Sequence, residues 1–150
     1  MRRLRLWTDE AGSASLEFIT VGVLLLMPLV YLVITLSAVQ AGALAAEGAA
    51  RHAARVYVQS TTPADAAAAA ERAVLFALAD HGIERQQASV QIDCSPKPAE
   101  CLTRQGSVTV SISVSVPLPL VPAAIDAQLP LRVPVDAVAT QQVSRFWSGR

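Results

Sequence analysis

The sequence predicts an α+β chain: a long apolar N-terminal helix that continues into a small exported domain, a second helix, and a small three-stranded antiparallel sheet. Three observations carry this. Phe18 to Ala46 holds no charged residue and no histidine. Gln40 to Val58 and Pro63 to Asp80 are rich in alanine, a strong helix former. From Ala88 onward the apolar period changes from near four to two. The chain has 150 residues, the size of one domain, with 53% hydrophobic and 16% charged side chains, against about 25% charged in ordinary soluble domains. The uncharged block absorbs most of the hydrophobic excess. Twelve basic and twelve acidic residues cancel, which removes the electrostatic argument for a nucleic-acid partner.

The densest apolar run, Phe18 to Val39, would form a helix of about 33 Å at roughly 1.5 Å per residue. That length crosses a hydrocarbon core of about 30 Å. Leu24, Leu25, Leu26, Leu29, Val30, Leu32, Val33 and Ile34 point all round such a helix, so lipid or other helices must surround it. Pro28 removes one backbone hydrogen bond and predicts a kink, which spanning helices tolerate when neighbours cover the freed carbonyl. Arg2, Arg3 and Arg5 before the span, against Arg51 and Arg55 after it, favour a cytoplasmic N-terminus.

Ahead of the span stands MRRLRLWTDEAG, followed by SASLEF. A secretory signal peptide passes from positive charge to a short apolar stretch and a small-residue cleavage site. Here Asp9, Glu10 and Glu17 intervene and the apolar stretch is too long, although Ala41-Gly42-Ala43 and Ala43-Leu44-Ala45 offer sites of that kind. Glu17 needs a physical reason, since a carboxylate deep in a bilayer costs on the order of 2.5 to 3.5 kcal/mol. Two readings stand: Glu17 lies at the membrane interface, or it meets a partner cation inside an assembled helix bundle.

Gly12-Ser13-Ala14-Ser15-Leu16-Glu17-Phe18, behind a basic leader and ahead of an apolar helix, resembles the processing site of type IV pilin-like proteins. Glu-Phe followed by LLLMPLV and a small domain is most similar to the TadE-like minor pseudopilins of tight-adherence (Tad, Flp-type) pilus systems. The resemblance implies a cut by prepilin peptidase between Gly12 and Ser13, which would make Glu17 the fifth mature residue. It implies that Glu17 neutralises the new α-amino group of a neighbouring subunit, two charges that are tolerated better as a pair. Phe18 stands where related major pilins often carry an aromatic residue. The implied partners are prepilin peptidase, other pilins or pseudopilins, an inner-membrane assembly platform and membrane lipid. The implied location is the inner membrane, single-pass, with the C-terminal domain exported and pilus or cell surface as the destination after assembly. On this reading residues 1–12 are leader, 13–17 the processing and assembly segment, 18–39 the span, 40–143 the exported domain and 144–150 a loose tail. The resemblance covers Arg2 to Val39 closely and the remainder only as a helix followed by strands.

In the exported portion the first helix runs on to about Val58, with Glu47, Arg51 and Arg55 forming a solvated stripe at i, i+4 and i+8. His52 on that helix has no second ligand nearby and no metal is expected. Thr62 is the expected N-cap of the second helix, Pro63 suits its first turn, and Asp65 favours the positive end of its dipole. His81 and Gly82 should close it, with Ala67, Ala70, Val74, Leu75 and Leu78 on its buried side. Ser107 to Val116 alternates Val or Ile with Ser or Thr and is the clearest strand. Ser89 to Asp93 is a shorter strand before it. Leu129 to Ala137 follows, with Leu129, Leu131, Val133 and Val135 on one face and its prolines assigning it to a sheet edge. Pro117, Pro119 and Pro122 mark a connection.

Cys94 and Cys101 bracket a loop with two prolines, and their even pair suits an oxidising compartment. A zinc site fails on spacing, so a structural disulfide is expected, worth about 2 kcal/mol for so short a loop. No serine lies in a G-x-S-x-G elbow, no phosphate-binding glycine loop is present and the acidic residues are scattered singly. The expectation is therefore no enzyme and no cofactor. An unprocessed single-pass envelope protein with a small exported binding domain is the competing expectation.

Overall fold

A computed structural model of the chain describes residues 13–121 and 131–148. In chain order the elements are helix α1 (Ser13–Gln59), helix α2 (Pro63–Ala79), a 3-10 turn at Arg85–Gln87, and strands β1 (Ala88–Ser95), β2 (Ser107–Pro117) and β3 (Arg132–Gln142). The layout is α+β, as the periodicities predict. The chain divides into two compact units, Met1–Leu36 and Ser37–Arg150, and α1 contributes to both.

The described part of the first unit is apolar helix. Its large side chains are exposed around the whole circumference, including Leu24, Leu25, Leu26, Met27, Leu29 and Leu32. Such a surface is unstable in water and matches a hydrocarbon surrounding. Its hydroxyls fold back onto the helix: Thr20 Oγ1 donates to the Leu16 carbonyl at 2.7 Å. Pro28 lies inside α1, which is assigned as helix on both sides of it.

In the second unit α1 turns from leucine to alanine, and the reason is packing distance. Ala45, Ala46, Ala49, Ala50, Ala53 and Ala54 form a buried stripe that Tyr57 closes. These small side chains share one core with Ala66, Ala70, Val74 and Leu78 of α2 and with Val108, Val110, Ile112, Val114 and Val116 of β2. At Gly42 even alanine is too large, because an added Cβ would overlap the Val116 side chain. The opposite side of α1 is solvated, with Arg51 Nη2 paired to Glu47 Oε2 at 2.8 Å.

Helix α2 begins as expected. Thr62 Oγ1 accepts from the Asp65 amide at 3.2 Å, and Pro63 opens the first turn. It closes through Gly82 at φ +69°, where the Gly82 amide donates to the Ala79 carbonyl and the Ile83 amide to the Leu78 carbonyl. This is the paired bonding of a Schellman turn. The buried face differs by one position from the expectation: Ala66 is fully buried and Ala67 exposed, since Ala66, Ala70, Val74 and Leu78 keep an exact four-residue spacing.

The sheet order is β1-β2-β3, both pairs antiparallel. Val110 faces Ile92 on one side and Ala139 on the other, so alternate residues of β2 fill the core. The other face carries Ser and Thr, and Thr109 and Thr140 share a hydroxyl contact at 2.9 Å. Strand β3 is an edge, which accommodates Pro134. It runs on to Gln142, past the expected end at Ala137, and buries Ala137 and Ala139; Leu129 and Pro130 lie outside the described residues.

The segment expected as a loose tail is anchored as far as it is described. Trp147 Nε1 donates to the Ser60 carbonyl at 3.1 Å, and Arg104 Nε donates to the Trp147 carbonyl at 2.9 Å. Val143 is buried and exchanges backbone bonds with Gln105 and Gly106. The Trp147 indole is half-buried against the core while its ring N–H finds an acceptor, whereas the Phe146 ring beside it stays exposed.

Candidate functional site

The residues singled out by the N-terminal motif sit at the start of α1. Gly12 lies outside the described residues, and Ser13 is the first residue of α1. Glu17 and Phe18 follow on the first turns as consecutive exposed residues, and Phe18 is 80% exposed. The carboxylate and the phenyl ring are neighbours in sequence near the head of an apolar helix and project in different directions from it. The carboxylate accepts hydrogen bonds and the ring offers apolar area to a neighbour. No ion pair within the described residues involves Glu17. From Phe18 the next charged side chain along the helix is Glu47. Glu17 is thus the terminal charge of a long uncharged surface, available to a cation from outside the described chain.

Cys94 and Cys101 form a disulfide in the second unit, with Cα atoms 5.0 Å apart. It closes the turn after β1, which contains a cis peptide bond between Ser95 and Pro96. Leu102, next to the bridge, is buried, and Arg104, three residues past it, donates to the Trp147 carbonyl.

One feature of this unit was not visible in the sequence. A cleft of about 400 Å³ lies between α2 and β1, lined by Ala67, Glu71, Val74, Arg85, Val90 and Ile92 among others. Its two charges are Glu71 and Arg85, which pair with each other. The pair spans fourteen positions, and no local pattern links residues that far apart. Because the charges satisfy one another, the cleft presents no free charge to a ligand. Among the described residues no polar or charged side chain is buried, and no group of three or more His, Cys, Asp or Glu residues could hold a metal ion.

Among the described residues one helix, Ser15–Gln59, is long and apolar enough to cross a membrane. Compared with family models, curated proteins and solved structures, the chain matches none.

Proposed function

We propose that this chain is a TadE-like minor pseudopilin. Its N-terminus is cytoplasmic, Phe18 to Val39 crosses the inner membrane, and the domain from Gln40 onward is exported. Prepilin peptidase removes residues 1–12 by cutting between Gly12 and Ser13. The mature chain then joins other pilins on an inner-membrane assembly platform and is built into, or primes, a Tad-type pilus or secretion pseudopilus.

The observation that carries this reading is one of position. Gly12, Glu17 and Phe18 stand in the spacing of a prepilin site, directly ahead of a helix whose apolar side chains are exposed on every side. The α+β second unit and its disulfide are compatible with an exported pilin-like domain. The work of the protein is then lateral: its helix inserts among others, and Glu17 receives the α-amino group of a neighbour.

A Gly12→Val substitution tests the processing step. In cells containing the peptidase, the variant should accumulate as the full-length form in the membrane and be absent from filaments. Unchanged size and unchanged assembly of the variant would instead favour a permanent single-pass envelope protein with an exported binding domain.

A further inference from the structure

Between Glu17 and Leu36 the first unit carries four polar side chains, Glu17, Thr20, Tyr31 and Thr35. At about 3.6 residues per turn all four fall within about 60° of the circumference of α1, and Leu24 lies inside the same arc. The rest of the circumference is apolar. Thr20 and Thr35 place their hydroxyl protons within the helix, Thr20 on the Leu16 carbonyl at 2.7 Å and Thr35 on the Tyr31 carbonyl at 2.8 Å. The Tyr31 hydroxyl has no hydrogen-bond partner among the described residues.

Pro28 supplies the complement. Proline has no amide hydrogen, so the Leu24 carbonyl, one turn earlier, is left without its intrahelical donor. In the proposed span, Phe18 to Val39, Leu24 lies about 9 Å along the axis from one end and about 22 Å from the other, and Tyr31 about 20 Å and 12 Å. At those depths there is no water or headgroup to satisfy a freed carbonyl or a lone hydroxyl. A tyrosine on a helix leans back toward the N-terminus, which here carries the Tyr31 hydroxyl toward the mid-plane, to about the depth of Met27 and Pro28. A helix carbonyl points the other way, so that of Leu24 is aimed at the same depth. An unused donor and an unused acceptor thus stand on one side of the helix at matching height.

From this we infer that the face marked by Glu17, Thr20, Leu24, Tyr31 and Thr35 pairs with the same face of a second copy of this chain, the two spans running parallel about a twofold axis along the membrane normal. In that arrangement each Tyr31 hydroxyl donates to the Leu24 carbonyl of the other copy, and two identical hydrogen bonds close the interface. The helix of a different protein would need both a donor and an acceptor at the right heights, whereas a second copy carries both by symmetry. The inference rests on the reading of Phe18 to Val39 as a membrane span and is independent of cleavage after Gly12. It adds to the proposed function a contact of like with like that forms in the membrane, before any filament.

The test uses the full-length chain with its disulfide intact, reconstituted alone in vesicles of phosphatidylethanolamine and phosphatidylglycerol. A further cysteine is introduced as Leu24→Cys, inside the polar arc, or as Val33→Cys, on the opposite side of the helix. Copper phenanthroline then oxidises thiols that meet across an interface, and the linked dimer is read on a non-reducing gel. The yield at position 24 should exceed that at position 33 severalfold. Tyr31→Phe, which removes only the hydroxyl, should lower the yield at 24 severalfold, and so should Pro28→Ala, which returns the missing amide; with Pro28→Ala in place, Tyr31→Phe should have no further effect. Equal yields at 24 and 33, or an unchanged yield with Tyr31→Phe, would overturn the inference, as would a cross-link at 24 in cell membranes that joins the chain only to a different protein. A membrane-impermeant maleimide separates this failure from that of the span: with positions 24 and 33 unlabelled the span stands and the pairing alone is lost, whereas labelling at either overturns both.

Discussion

Glu17 and Gly42 are the two single residues that carry most at this scale, one for the proposed assembly step and one for packing. Glu17 ends a helix surface that is otherwise uncharged up to Glu47, so its removal makes insertion easier. Glu17→Ala should therefore leave membrane insertion intact and, on the pseudopilin reading, impair incorporation into filaments, read by fractionation and by shearing filaments from cells. Normal incorporation would contradict a pairing role for the carboxylate. At Gly42 two effects oppose each other. Alanine in a helix interior is favoured over glycine by about 1 kcal/mol, whereas overpacking a filled contact costs about 1 to 3 kcal/mol. The overlap with Val116 decides the sign, so Gly42→Ala should lower the thermal midpoint of the detergent-solubilised chain, and Val116→Ala in the same chain should relieve the loss. Gly48, with open space around its missing Cβ, is the control: Gly48→Ala should raise the midpoint. The N-terminal motif is legible as a sequence pattern, and its role is the proposal made above. The role of Gly42 was not legible, because a close approach between a helix and a strand leaves no local signature.

Among the elements, α2 and β2 were read most fully. The Thr62 cap, Pro63 and the Gly82 closure are local devices, and the alternation of valine with serine in β2 is a strict period. On α2 the expected Ala70, Val74 and Leu78 are buried, and only the first position differs, Ala66 in place of Ala67, because a run of alanines is almost featureless: the two differ only in what lies opposite them. That makes the register testable. Ala66→Leu should cost about 1 to 3 kcal/mol by overpacking and Ala67→Leu little, measured as denaturation midpoints. In β3 the inward residues shrink from Val133 and Val135 to Ala137 and Ala139, which weakens the alternation where the strand continues. The 3-10 turn and the Glu71–Arg85 pair depend on α2 and β1 being brought together, so neither could be read from spacing. The disulfide was legible from its two prolines and even cysteine count. Replacing Cys94 and Cys101 together by serine should cost about 2 kcal/mol of stability, since the eight-position loop then regains its freedom in the unfolded chain. An unchanged midpoint in the doubly substituted chain would contradict a stabilising role.

For the molecule as a whole, the division of labour follows from where apolar area is placed. The first unit exposes its leucines and the second hides alanine and valine, so one is suited to lipid and the other to water. The imbalance between hydrophobic and charged residues, which marks the sequence from the outset, is thus the sum of two different surfaces. Anchorage of Trp147 shows that the second unit extends into the segment read as a tail; only contacts distant in sequence reveal this. The pseudopilin reading joins the two units into one task, in which a helix freed of its leader enters a bundle and carries the α+β domain with it. That claim turns on one covalent bond. The intact mass of the protein from membranes of cells with an active prepilin peptidase, together with its N-terminal peptide, tests it most directly. The account predicts a chain beginning at Ser13; a population in which every molecule retains Met1 to Gly12 would contradict it.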